Sequence, residues 1–94
     1  MKNRKFLSYI HEHECIIGEC CDGPVQAHHL LRPWSGFRGT GMKAGDENCV
    51  PLCFSHHHEL HMRGDEDAFF YEKSGNADLG RQSSESFWRQ FQSK

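Results

Sequence analysis

The sequence predicts a small α+β domain stapled by a metal ion, and three observations carry that expectation. The chain has 94 residues, 36% of them hydrophobic, and a mean hydropathy of -0.77, so one thin core is all it can build. Domains with poor cores lean on disulfides or on a metal, and five cysteines with eight histidines supply either. The apolar pattern changes period along the chain, giving the order helix, strand, loop, strand, helix and then two further helices.

Each element has a local cause. In "RKFLSYIHEHE", Phe6, Leu7 and Ile10 recur at helical spacing, which predicts a short N-terminal helix. "CIIGECCDGP" reads as a tight knuckle because Gly18, Gly23 and Pro24 are turn residues. "VQAHHLL" is short and apolar-flanked, as a strand is. "RPWSGFRGTGMKAGD" is a glycine-rich loop, and "NCVPLC" is a second strand that Pro51 confines to an edge or an end. "SHHHELHMRG" is a helix, with Ser55 as the expected N-cap and Gly64 as the stop. "DEDAFFYEK" places acids in a first turn and a lysine in a last one, as the helix dipole favours. "SGNADLG" reads as a loop. "SESFWRQFQS" reads as a serine-capped helix with Phe87, Trp88 and Phe91 on one stripe. No repeat or low-complexity linker divides the chain, so residues 1–94 form one domain, with a core over 13–64 and a helical extension over 65–94.

Composition removes several function classes. No apolar run is long enough to span a membrane. "MKNRKFLSYIHEHE" lacks the apolar stretch of a signal peptide, and an odd cysteine count leaves a thiol over in any disulfide scheme. The expectation is therefore a reducing cytoplasm, where clustered cysteines bind metal more often than one another. The net charge of -2 does not announce a nucleic-acid binder. Its distribution is more telling: no acid lies between Asp22 and Asp46, while Arg32, Arg38 and Lys43 do.

Two ligand clusters follow from spacing. Cys53 and His56 stand at a strand-to-helix turn, and Cys15 with either Cys20 or Cys21 comes from the knuckle. Three cysteines and one histidine suit a closed, tetrahedral, structural Zn²⁺ site, which is the staple that the thin core needs. His57 and His61 are four residues apart, so they share a helix face, and His56 points about 100° away from His57. His58 lies on neither face. His28 and His29 are neighbours on a strand and project to opposite sides. One of them can complete a three-histidine ion site with His57 and His61. The other, neutral near pH 7, can take a proton from water.

The stretches "AHHL" and "ENCVPLCFSHHHELH" resemble the HNH endonucleases, the ββα-metal finger nucleases, and above all small phage or prophage members with a zinc ribbon. The resemblance covers about residues 13–64. His56 stands where such members carry a second cysteine. The resemblance implies a ββα-metal (His-Me finger) core stapled by the structural zinc, with flanking N- and C-terminal helices. It implies His29 as the general base, His28, His57 and His61 as holders of one catalytic divalent ion (Mg²⁺, Mn²⁺, Ni²⁺ or Zn²⁺), and Asn48 as the residue that orients the base. Asp46 lies close enough to share or replace that last role. The implied reaction is hydrolysis of DNA phosphodiester bonds, with Arg32, Arg38 and Lys43 on backbone phosphates and Trp34 or Phe37 available for stacking. Weak basic charge admits a larger protein partner. The competing reading is a non-catalytic zinc module for nucleic acid or protein, which leaves His28, His29, His57 and His61 without a task. A secreted disulfide protein explains neither the odd cysteine count nor the histidines.

Overall fold

A two-stranded antiparallel ribbon organises the fold in the computed structural model, which describes residues 2–36 and 44–93. Its strands are β1 (Val25–His29) and β2 (Cys49–Cys53), paired so that His28 faces Val50 and His29 faces Cys49. Four helices surround it: α1 (Arg4–His11), α2 (Phe54–Arg63), α3 (Glu66–Ser74) and α4 (Leu79–Gln92). The molecule is thus a small α+β domain in which two strands run directly into a helix. Both strands of a two-stranded sheet are edges, so Pro51 costs β2 no interior hydrogen bond.

Alternation along the ribbon gives it two apolar faces. Val50 and Leu52 pack with Leu60 of α2 and with Phe69 and Phe70 of α3. On the other face Cys49 and Ala27 meet Phe6, Tyr9 and Ile10 of α1 and the Phe87, Trp88 and Phe91 stripe of α4. Trp88 meets Phe6 edge-on at 4.9 Å between ring centroids. Helices α3 and α4 thus pack on the ribbon, one against each face.

Local chemistry moves three expected boundaries. β1 stops at His29 rather than Leu31, because the Leu31 and Arg32 amides donate to the Glu66 carboxylate at 3.0 and 3.2 Å. Ser55 is not the N-cap of α2. The Cys53 thiol takes that place by accepting from the His56 amide at 3.4 Å, and the helix begins at Phe54. Gly64 does end α2 in the left-handed conformation. Helix α4 starts at Leu79, so the expected loop is partly helical and no serine caps it. Ser84 lies inside the helix, buried, donating to the Glu47 carbonyl at 2.9 Å and accepting from Trp34 Nε1 at 3.0 Å. Gly80, in the first turn, lets α4 close on Phe70: a Cβ there would sit 2.6 Å from Phe70 Cε2. No helix among the described residues is long and apolar enough to cross a membrane.

Candidate metal centres

The knuckle after α1 is pinned to the ribbon at both ends. The Ile16 amide donates to the Pro51 carbonyl at 3.1 Å, and the Ser55 amide donates to the Asp22 carbonyl at 3.0 Å. Between these ties the chain turns through left-handed residues at Gly18, Cys20 and Gly23. Gly23 lies against Phe54, where a Cβ would come within 2.6 Å of the Phe54 Cβ. The turn brings Cys15 and Cys21 to Cys53 and His56, and the four ligand atoms lie within 4.8 Å of one another. Of the two neighbours that spacing left open, Cys21 is in this group and Cys20 is not.

The donor set fits zinc. His56 Nδ1 lies 3.6, 3.8 and 3.2 Å from the sulfurs of Cys15, Cys21 and Cys53. Ordinary zinc–sulfur and zinc–nitrogen bonds at tetrahedral angles give an S···N edge of about 3.6 Å. Cys15, Cys53 and His56 are buried. Without a cation the thiols hinder one another: desolvation, then the neighbouring Cys15 and Cys53 thiols, push Cys21 up to about 12. Burial pushes Cys53 upward too, yet the His56 and Asp22 backbone amides aimed at its sulfur bring it below its ordinary value. Burial also lowers His56, helped by the Lys73 charge, and so favours the neutral ring that a metal needs. This Cys₃His cluster can hold a zinc ion. All five cysteines are free thiols, so no disulfide competes for the ligands.

One turn further along, α2 presents His57 and His61 toward β1. Together with His28 they form a second group whose ligand nitrogens lie within 4.8 Å of one another. His57 Nε2 and His61 Nε2 are 3.1 Å apart, close to the roughly 3.3 Å edge of two imidazoles on a tetrahedral ion. Two polar side chains fix the rings. The Gln26 amide oxygen meets His57 Nδ1 and can only accept, so the His57 proton sits on Nδ1 and Nε2 is bare. Glu66 Oε1 meets His28 Nε2 at 2.8 Å, both groups being buried, so that proton sits on Nε2. Burial, followed by the His28 and His61 charges, brings His57 down to about 4, so its ring is neutral at physiological pH.

His29 faces away from this cluster and pairs with Asp46, Nε2 to Oδ1 at 2.8 Å. Asp46 also accepts the Asn3 amide at 2.6 Å. Burial works against its charge, but the hydrogen bonds from His29 and Asn3 hold its carboxyl below the ordinary range. Asn48, expected to orient His29, serves the loop among the described residues. Its Oδ1 accepts the Trp34 and Ser35 amides at 2.8 and 3.0 Å, and its Nδ2 donates to the Ser35 carbonyl at 3.0 Å. Asp46 makes the contact to His29 instead, because the Asn48 amide is turned inward and fully buried. Despite their opposite directions, His28 and His29 border the same cleft of about 320 Å³, with His57, His61 and the apolar Ala27, Leu30, Leu31 and Ala44.

The Arg32 guanidinium is paired with Asp67. Arg38, Lys43 and Phe37 lie outside the described residues. Trp34 is folded inward, donating through Nε1 to the Glu47 carbonyl at 3.1 Å, and belongs to the core. His58 is exposed and stacks on Phe54. Sequence reading missed Gln26 and Glu66. Gln26 had a signal, since it lies two residues before His28 on the same strand face. Glu66 had none beyond a first-turn acid, because it reaches His28 across 38 residues.

A family model described as "Protein of unknown function (DUF968)" matches residues 1–79, a span that contains both clusters and all their supporting residues. No curated protein and no solved structure matches the chain.

Proposed function

The chain belongs to the DUF968 family, and we propose that it is a metal-dependent endonuclease that hydrolyses DNA phosphodiester bonds, built on the ββα-metal core of the HNH enzymes. The observation that carries this reading is the meeting of His28, His57 and His61 in one cleft with His29, whose ring is paired with Asp46. A set of three histidines is a ligand set with room for a fourth partner, the arrangement of a catalytic rather than a structural site. A zinc module for binding alone needs the cysteine cluster and has no use for a second, open one.

The chain's own residues divide the work. Cys15, Cys21, Cys53 and His56 fasten the knuckle to the start of α2 and so fix where His57 and His61 project. His28, His57 and His61 would hold a divalent ion. When bound, that ion supplies positive charge to the phosphate and the leaving oxygen. Asp46 keeps the His29 proton on Nε2, which leaves Nδ1 free to take a proton from water. Asn48 holds the Trp34–Ser35 backbone beside the site. Arg32, once released from Asp67, and the loop residues Arg38 and Lys43 are the cations available to DNA phosphates. Imidazole ligands favour Zn²⁺ or Ni²⁺ over Mg²⁺, which prefers oxygen. Thiol ligands and five free cysteines fit a reducing cytoplasm.

The test is nicking of supercoiled plasmid with each of Mg²⁺, Mn²⁺, Ni²⁺ and Zn²⁺. Wild type nicks with at least one ion and stops on chelation, while His57→Ala and His61→Ala keep their cysteine-bound zinc but do not nick. If wild type loaded with both ions leaves the plasmid intact, the nuclease reading falls and the binding module takes its place.

A further inference from the structure

Glu66 is the least expected group in the molecule. It is 4% exposed, on the first turn of α3, and its carboxylate faces the interior rather than water. A carboxylate in such a place costs stability unless several donors satisfy it. Three do: His28 Nε2 at 2.8 Å, the Leu31 amide at 3.0 Å and the Arg32 amide at 3.2 Å. The last two belong to the chain that leaves β1 beside the cleft. The helix dipole favours an acid in the first turn but does not require it to be buried, and a neutral acceptor would also satisfy the two backbone amides. An anion is explained if a cation binds on the far side of the His28 ring.

We propose that Glu66 is a positioning residue for the His28–His57–His61 ion site. It holds the His28 proton on Nε2 so that Nδ1 is the metal-binding nitrogen, and it supplies the negative charge that an all-imidazole site lacks. The inference rests on the ion-site reading above and adds to it a residue from α3, outside the ββα unit. His28 and His57 then bind through different nitrogens, because Glu66 occupies Nε2 of the first and Gln26 occupies Nδ1 of the second. A carboxylate behind a ligating histidine makes the ring a stronger donor, and loss of such a partner typically weakens metal binding about 10–100-fold.

The experiment is Zn²⁺ and Co²⁺ titration of full-length protein whose cysteine site is already filled with zinc. Wild type, Glu66→Gln and His28→Ala are compared, with bound zinc and the melting curve recorded for each. Wild type takes up a second ion. Glu66→Gln keeps the first zinc and its fold, and binds the second ion at least tenfold more weakly. His28→Ala weakens it further. Equal second-ion affinity in wild type and in Glu66→Gln overturns the role of Glu66 while leaving the ion site in place. Absence of a second ion in wild type overturns the site itself, and with it this inference. If Glu66→Gln does not fold, ¹⁵N NMR of the wild-type histidines decides. A His28 ring protonated at Nε2 and shifted at Nδ1 on zinc addition supports the proposal, and coordination through Nε2 overturns it.

Discussion

Cys20 and Cys21 are neighbours in sequence with opposite fates, and the difference is readable in solution. Cys21 belongs to the four-ligand cluster and Cys20 does not. A structural zinc site contributes about 10–16 kcal/mol of apparent binding energy. That is comparable to the about 5–15 kcal/mol by which a whole domain is stable. Cys21→Ser therefore loses its zinc and unfolds at room temperature, whereas Cys20→Ser keeps both its metal content and its melting temperature; elemental analysis with circular dichroism reads the two. The His29–Asp46 pair gives a second prediction at this scale. Asp46 titrates below its ordinary value of 3.8 in the fold. Its contribution to stability is thus complete above that value and fades as pH falls through the lower, folded one. Asp46→Asn should melt below wild type at neutral pH, and the gap should close in acid. A gap that is constant with pH contradicts the pairing. Residue identities were legible where ligand spacing is local, as in Cys53 with His56 and His57 with His61. The choice between Cys20 and Cys21 was not, because it turns on one left-handed residue in the knuckle. Neither was the contact of Asp46 rather than Asn48 with His29, which depends on which way a buried amide points.

At the scale of elements, periodicity, caps and charge placement located the four α-helices and two strands of the described residues but not the short 3₁₀ turn at Asp46–Asn48, and boundaries moved where a side chain took over a backbone's role. The Cys53 thiol caps α2 because it is already held at the cluster, so Ser55 is drawn into the helix. Glu66 takes the Leu31 and Arg32 amides and so shortens β1. Helix α4 begins early because Gly80 allows it to approach Phe70 and Leu30. This last contact yields a prediction whose sign is not the one helix propensity gives. Replacing a helical glycine with alanine ordinarily stabilises by up to about 1 kcal/mol. Here the added methyl would lie 2.6 Å from one Phe70 carbon and 3.0 Å from a Leu30 methyl. Overpacking of that kind costs roughly 1–3 kcal/mol, so Gly80→Ala should lower the unfolding free energy in urea. An increase in stability would mean that α4 sits further from α3.

The whole molecule is a ribbon with a helical layer on each face, a Cys₃His group at the start of α2 and a three-histidine group where α2 faces β1. The Cys₃His cluster supplies rigidity to a chain whose composition gives it little core, and the histidine cluster lies in the cleft that this rigidity shapes. Chelation should therefore act in two stages. Mild chelators remove the ion from the histidine site, where His61 is exposed, and abolish cleavage with the fold intact, and stronger ones then unfold the chain; a single transition for both contradicts the division of labour. The α+β class and the two ligand sets were legible because ligand types recur at fixed spacing. The contribution of α3 was not, because Glu66 meets His28 only once the chain has folded. The most direct test of the account is the single-turnover cleavage rate of a labelled DNA duplex by His29→Ala protein carrying both ions. A general base contributes about 100- to 10,000-fold. The account predicts a loss in that range with unchanged metal content and melting temperature, and cleavage at the wild-type rate would contradict it.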